Sequence, residues 1–132
     1  MNEIKAVAQL IAVSIDNENF GSYLRKVRSF KNISLRQLAK ELNITPAYLS
    51  DIENGNNKPP DKVLLARIIE LLDVSSYPRV KWNLFDLAAK ARNDIPMDVK
   101  EYILNNIEIL EVIRDIKEKE QTVSELRNLI TK

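Results

Sequence analysis

The 132-residue chain has no cysteine and no histidine. Without cysteine there is no disulfide, no thiolate metal site and no cysteine nucleophile. Without histidine there is no His-ligated zinc, no Ser-His-Asp triad and no ordinary general base at neutral pH. Carboxylate and lysine chemistry stay open, but no residues stand at catalytic spacing, so the reading is of a non-enzyme with no cofactor and no metal. Glycine and proline are also scarce, with 2 and 5 residues, which argues against an all-β protein built on many tight turns. No apolar run approaches the roughly 20 residues of a membrane span. The stretch 6–13 is preceded by a single Lys5, is interrupted by Gln9 and has no small-residue cleavage pattern, so it does not read as a signal sequence. Ile4, Val7, Ala8, Ile11 and Ile15 instead recur at helical spacing. They predict a short amphipathic helix within residues 1–19, docked on the body of the protein or on a second copy.

What is present is an ordinary apolar share, 45%, enough for one packed domain or a small domain with an extension. Charge is uneven. Residues 1–19 carry a net −2, residues 20–72 nine basic and five acidic side chains, and residues 73–132 ten basic and eleven acidic. A basic middle between acidic or neutral flanks points to a local anion-binding face.

The apolar periodicity is helical throughout, and no period-two pattern persists. Tyr23, Leu24, Val27 and Phe30 mark a helix from about 20 to 31. Ser34 is an N-cap with Gln37 three residues on, ahead of the stripe Leu35, Leu38, Ala39 and Leu42, and Asn43 is suited to a left-handed stop. Thr45 caps a further helix with Pro46 in its first position, Leu49 and Ile52 facing inward, and Gly55 at its end. After a loop at 56–60, Asp61 caps a helix with the stripe Leu64, Leu65, Ile68 and Leu72. Further stripes follow at Leu84, Leu87, Ala88 and Ala91, at Val99, Tyr102 and Ile103 after Ile95-Pro96, and at Ile109, Val112, Ile113 and Ile116. Thr122 with Glu125 opens the last helix, which carries Leu126, Leu129 and Ile130.

Two short helices joined by a tight turn inside a compact helical run are the layout of a helix-turn-helix. Ala39 is the small residue where the two helices meet, and Ile44 plugs the turn. Pro46, Ala47, Tyr48 and Asp51 are left on the outer face of the second helix, the face that enters a major groove. Residues 34–55, SLRQLAKELNITPAYLSDIENG, resemble the lambda-repressor/Cro-like (XRE) helix-turn-helix family, over roughly residues 20–74. The resemblance implies an all-α, lambda-repressor-like DNA-binding domain with a helical C-terminal extension, acting in the cytoplasm as a dimeric transcriptional regulator on double-stranded DNA. It implies phosphate contacts from Ser34, Asn54, Asn56 and Lys58, with Arg36 compensating nearby, and base-facing positions at Pro46, Ala47, Tyr48 and Asp51. It also implies a structural ion pair between Arg28 and Glu53; the alternative is two solvated charges. Tyr48 packing on the loop after Gly55, and Asp51 in a local ion pair, are open alternatives. Leu35 departs from the family's usual Gln, and Asp51 from a frequent basic residue.

Residues 75–132 carry apolar stripes but no catalytic spacing. Ile109, Val112, Ile116, Val123, Leu126 and Ile130 permit a short coiled coil interrupted by Lys119, or two helices of a small bundle. The region 84–114 is similar to the tails of some repressors of mobile elements and prophages. The resulting expectation is three parts: an N-terminal helix (1–19), a DNA-binding domain (20–74) and an oligomerisation or interaction region (75–132). The function expected is a repressor binding an inverted-repeat operator as a homodimer, with a protein effector, an antirepressor peptidase or a toxin, as possible partner. The alternatives are an antitoxin that autoregulates its operon, and an interaction module that has lost DNA binding.

Overall fold

The computed structural model describes residues 2–131, and among them the secondary structure is helical throughout. The helices are α1 (Asn2–Ile11), α2 (Phe20–Phe30), α3 (Leu35–Leu42), α4 (Pro46–Glu53), α5 (Lys62–Leu72), α6 (Pro78–Ala91), α7 (Met97–Asn105), α8 (Ile109–Glu118) and α9 (Val123–Ile130). They fall into two compact units, residues 1–97 and residues 98–132.

The first unit is built around one apolar cluster. Tyr23, Leu24 and Val27 of α2, Leu38 and Ala39 of α3, Leu49 and Ile52 of α4, and Leu65, Ile68 and Leu72 of α5 are all buried in it. The caps that punctuate these helices are those the side chains favour. The hydroxyls of Ser34 and Thr45 accept from the backbone N–H of Gln37 and Tyr48, at 3.1 and 3.0 Å, and Asp61 accepts from Leu64 at 2.9 Å. Each bond satisfies one of the donors a helix leaves open at its start. Asn43 takes the left-handed conformation with φ 58°, as does Gly55 with φ 78°, and each turns the chain out of a helix.

α6 lies beyond the edge at residue 74 drawn from the sequence, yet Val80, Leu84 and Leu87 are buried in the same cluster. The stripe read there from the sequence missed Val80 and Phe85, both buried, and included Ala91, which is exposed. The helix is buried around most of its circumference, so a one-face pattern underestimates it.

α1 docks differently from its sequence pattern. Leu10, outside the stripe, is the residue buried in the core, while Ile4 is 75% exposed and Ala8 and Ile11 lie on the surface. A polar contact accompanies this burial. The carbonyl of Leu10, near the end of α1, accepts from the Tyr23 hydroxyl at 2.9 Å and from the Asn83 amide at 3.2 Å, and Asn83 also donates to the Tyr23 oxygen at 3.1 Å. These bonds supply the partners that buried polar groups require, and they fasten the end of α1 to α2 and α6 where the Leu10 side chain enters the core. Burial raises the Tyr23 phenol above its usual value. Downstream, the Lys90 ammonium donates to the carbonyls of Ile15, Asp16 and Glu18 at 2.6, 3.2 and 3.1 Å, which fastens the 15–18 connection to α6.

In the second unit, α8 and α9 are separate helices. The chain breaks between Glu118 and Val123, with Glu120 at φ 50°, so the seam permitted by the sequence is not one continuous coiled-coil helix. Thr122 caps α9 by accepting from Glu125 N at 3.1 Å, and its hydroxyl donates to the Glu125 carboxylate at the same distance. None of the described side chains of residues 98–131 is buried.

Candidate nucleic-acid interface

α4 is the element that presents an outer face. Leu49 and Ile52 anchor it in the core, and Thr45 and Pro46 begin it. Gly21 of α2 lets the end of α4 come close: a Cβ there would stand 2.3 Å from the Ile52 carbonyl oxygen and 2.5 Å from that of Glu53. Sequence reasoning passed over this glycine, because a helical glycine reads as a loss of propensity until its neighbour is known. Pro46, Ala47, Tyr48 and Asp51 are exposed together on the outer side, with Tyr48 at 36%. Asp51 has no ion-pair partner among the described residues. An exposed α-helical ridge of this kind has the dimensions of a B-DNA major groove.

Around this ridge lie the phosphate candidates. Ser34 and Arg36 are exposed at the start of α3, where backbone N–H groups and the helix dipole favour an anion. Asn54, Asn56 and Lys58 are exposed past the other end of α4. The loop that carries them is tied down at both sides. Asn56 N–H donates to the Asp51 carbonyl at 2.9 Å, and Arg92 donates to the carbonyls of Pro60, at 2.9 Å, and Pro59.

The ion pair sits beneath the interface. Arg28 Nε donates to Glu53 Oε2 and Arg28 Nη2 to Glu53 Oε1, both at 2.8 Å, and Arg28 Nη1 donates to the Ile33 carbonyl at 3.0 Å. The Glu53 side chain is fully buried and that of Arg28 is 13% exposed, so these are not two solvated charges. The fork-to-fork geometry is the strong form of a carboxylate–guanidinium contact, and its hydrogen bond to Glu53 raises the Arg28 pKa above the usual arginine value. The pair fixes the C-terminal end of α4 to α2 and, through Ile33, to the turn ahead of α3. Arg25, not singled out from the sequence, joins the same cluster. Its Nε lies 3.4 Å from Glu53 Oε1, and its Nη2 donates to Asn54 Oδ1. The signal was its place three residues before Arg28 on one helix face.

Among the described residues no group of acidic side chains has the arrangement of a metal site, and no helix is long and apolar enough to cross a membrane.

Comparison with known proteins agrees with this geometry. A family model described as a helix-turn-helix domain matches residues 21–89. An uncharacterized HTH-type transcriptional regulator of Archaeoglobus fulgidus is 38% identical over 73 residues, covering 54% of this chain and 32% of that protein. A second, from Methanocaldococcus jannaschii, is 27% identical over 133 residues, covering 98% of this chain and 49% of that protein. The ImmF control region 10 kDa protein of Bacillus phage phi105 is 35% identical over 60 residues, covering 46% of this chain and 66% of that protein. The chain thus spans about a third and about half of the two archaeal relatives. No solved structure matches. The domain match takes in just over half of the chain, and the chain belongs to the helix-turn-helix family of the XRE, Cro-like type, a family of DNA-binding transcriptional regulators.

Proposed function

We propose that this protein is a sequence-specific DNA-binding regulator of transcription that acts in the cytoplasm as a homodimeric repressor of the mobile-element or prophage type. The observation that carries this reading is the outer face of α4. Pro46, Ala47, Tyr48 and Asp51 are free to meet base edges, while Leu49, Ile52 and Glu53 hold the helix rigidly from behind. Rigid placement matters because base readout depends on side chains reaching defined groove positions. Ala47 suits a thymine methyl group, and Asp51 suits a cytosine amino donor. Ser34, Arg36, Asn54, Asn56 and Lys58 flank the ridge as phosphate contacts. The similarity to a phage control-region protein supports the repressor role.

The division of labour follows the three parts read from the sequence, with residues 20–74 reading DNA and residues 1–19 bracing them. Within 75–132, α6 is built into the core, which leaves α7–α9 to bring two copies together. Residues 98–132 are only 35 in number, and Tyr102, Leu104, Val123 and Ile130 are exposed among them. Segments below roughly 40 residues rarely fold alone without disulfides, metals or oligomerisation. Cysteine and histidine are absent, so a second copy is the cover these helices call for.

Selection of DNA fragments by the full chain, followed by sequencing, tests the reading. Enriched fragments should share an inverted repeat whose half-sites lie about one helical turn, roughly 34 Å, apart. Enrichment of a motif without twofold symmetry would overturn the dimeric mode. Absence of any enriched motif would overturn sequence-specific binding.

A further inference from the structure

The cluster beneath the interface holds one more cation than it needs. Glu53 supplies a single negative charge, and Arg28 alone satisfies both of its oxygens at 2.8 Å. Arg25 adds only a 3.4 Å approach to an oxygen already bonded. Two guanidinium groups against one carboxylate leave a surplus positive charge. Arg28 is enclosed, with Nε, Nη1 and Nη2 all donating. The surplus therefore lies with Arg25, whose side chain is 50% exposed.

Arg25 is held in a particular place. Its Nη2 donates to Asn54 Oδ1, and the Asn54 amide nitrogen donates to Ser50 Oγ at 3.2 Å. The Asn54 side chain is thereby oriented from both of its ends, at the C-terminal cap of α4. Arg25 Nη1 has no partner among the described residues. A bond between an exposed arginine and an exposed amide adds little stability, because water serves either group about as well. It does present a planar set of donors in fixed orientation, the geometry that suits an anion. A cation is also what this place requires. The C-terminal end of a helix carries partial negative charge, so a phosphate approaching the end of α4 is repelled unless a positive group offsets the dipole.

We infer that Arg25 is a phosphate ligand of the DNA interface and the residue that positions Asn54, so that a guanidinium N–H and the Asn54 amide share one backbone phosphate. The inference rests on the DNA-binding reading above and adds a contact from α2, outside the helix-turn-helix itself.

The test is binding of the full chain to a random-sequence 30-base-pair duplex, followed by fluorescence anisotropy across a salt series. The wild-type chain should bind with log K falling linearly against log salt. Arg25→Gln should flatten that slope by about 0.9, the value for one lost phosphate contact on duplex DNA, and lower affinity about eightfold near 0.1 M salt. Its urea midpoint should stay close to wild type, since Arg28 keeps Glu53 paired. Arg25→Lys should keep the slope but bind more weakly than wild type, because an ammonium lacks the planar donor set that reaches Asn54 Oδ1 from Nη2 and leaves Nη1 for the phosphate. An unchanged slope in Arg25→Gln, or equal flattening by Lys and Gln, would overturn the inference and leave DNA binding intact. A wild-type chain that shows no salt-dependent binding to the duplex would overturn the DNA-binding reading, and the inference with it.

Discussion

Removing the Glu53 carboxylate should be among the more destabilising single changes in the first unit. In Glu53→Ala, Arg28 loses the acceptors of Nε and Nη2 and keeps only the bond from Nη1 to the Ile33 carbonyl. Deleting one partner of a buried pair costs about 3–5 kcal/mol, because a charge is left without compensation. Arg28 retains a 13% opening to solvent, which brings the expected loss to the bottom of that range or just below it, at about 2–3 kcal/mol. Arg28→Ala should cost a similar amount, since the orphaned carboxylate is then fully buried and, among the described residues, is left with Arg25 alone as a cation. The double variant removes both charges and should lose far less than the two single losses together. The coupling energy from urea denaturation should therefore reach about 2 kcal/mol, with the slope against denaturant unchanged. The parallel cycle of Arg25 with Glu53 sets the scale, because that contact is longer and half exposed; about 0.2–1 kcal/mol is expected. Additivity of Arg28 and Glu53 within about 0.5 kcal/mol would refute the argument, since it would mean that the carboxylate finds equal solvation without its partner.

Two further outcomes follow from the way α1 and α6 are joined to the core. A group whose pKa is raised by folding contributes stability that is complete below its unfolded value and is lost as pH rises through the folded one. The Tyr23 phenol is raised, by burial first, so the wild-type urea midpoint should fall as pH rises above about 10, and Tyr23→Phe should show a shallower fall; identical alkaline profiles would refute the role of the phenol. A chain ending at Met97 should unfold cooperatively in urea, whereas one ending at Val74 should not, because it lacks Val80, Leu84 and Leu87, each worth about 1.5–3 kcal/mol on full burial. Equal cooperativity of the two chains would show that α6 is dispensable.

What could be read in the sequence, and what could not, divides by the range of the interaction. Ser34, Asn43, Thr45, Asp61 and Thr122 act on backbone groups within a few residues, and their roles at helix ends were legible because that chemistry is local. The outer face of α4 was legible for the same reason, since eight residues with Leu49 and Ile52 inward leave Ala47, Tyr48 and Asp51 outward by periodicity alone. The features that escaped need a partner distant in sequence. Leu10 is buried where its carbonyl meets Tyr23 and Asn83, 13 and 73 residues away, and no local pattern signals that the stripe through Ile4 and Ile11 yields to it. Arg25 looks like any surface arginine of an amphipathic helix until Glu53 and Asn54, 28 and 29 residues on, are placed beside it. The same distinction explains why α6 fell outside the boundary read at residue 74. Its buried residues spread over a wide arc of the helix, with Phe85 and Ala89 lying outside the stripe of Leu84, Leu87 and Ala88, and so wide an arc gives a weaker one-sided signal. The outer face of α4, proposed above to read bases, is thus set by short-range rules. The α2–α4 contact that holds it steady, and Lys90 and Asn83 that secure the N-terminal segment against α6, come from the tertiary fold, where substitutions far from the ridge can still move it.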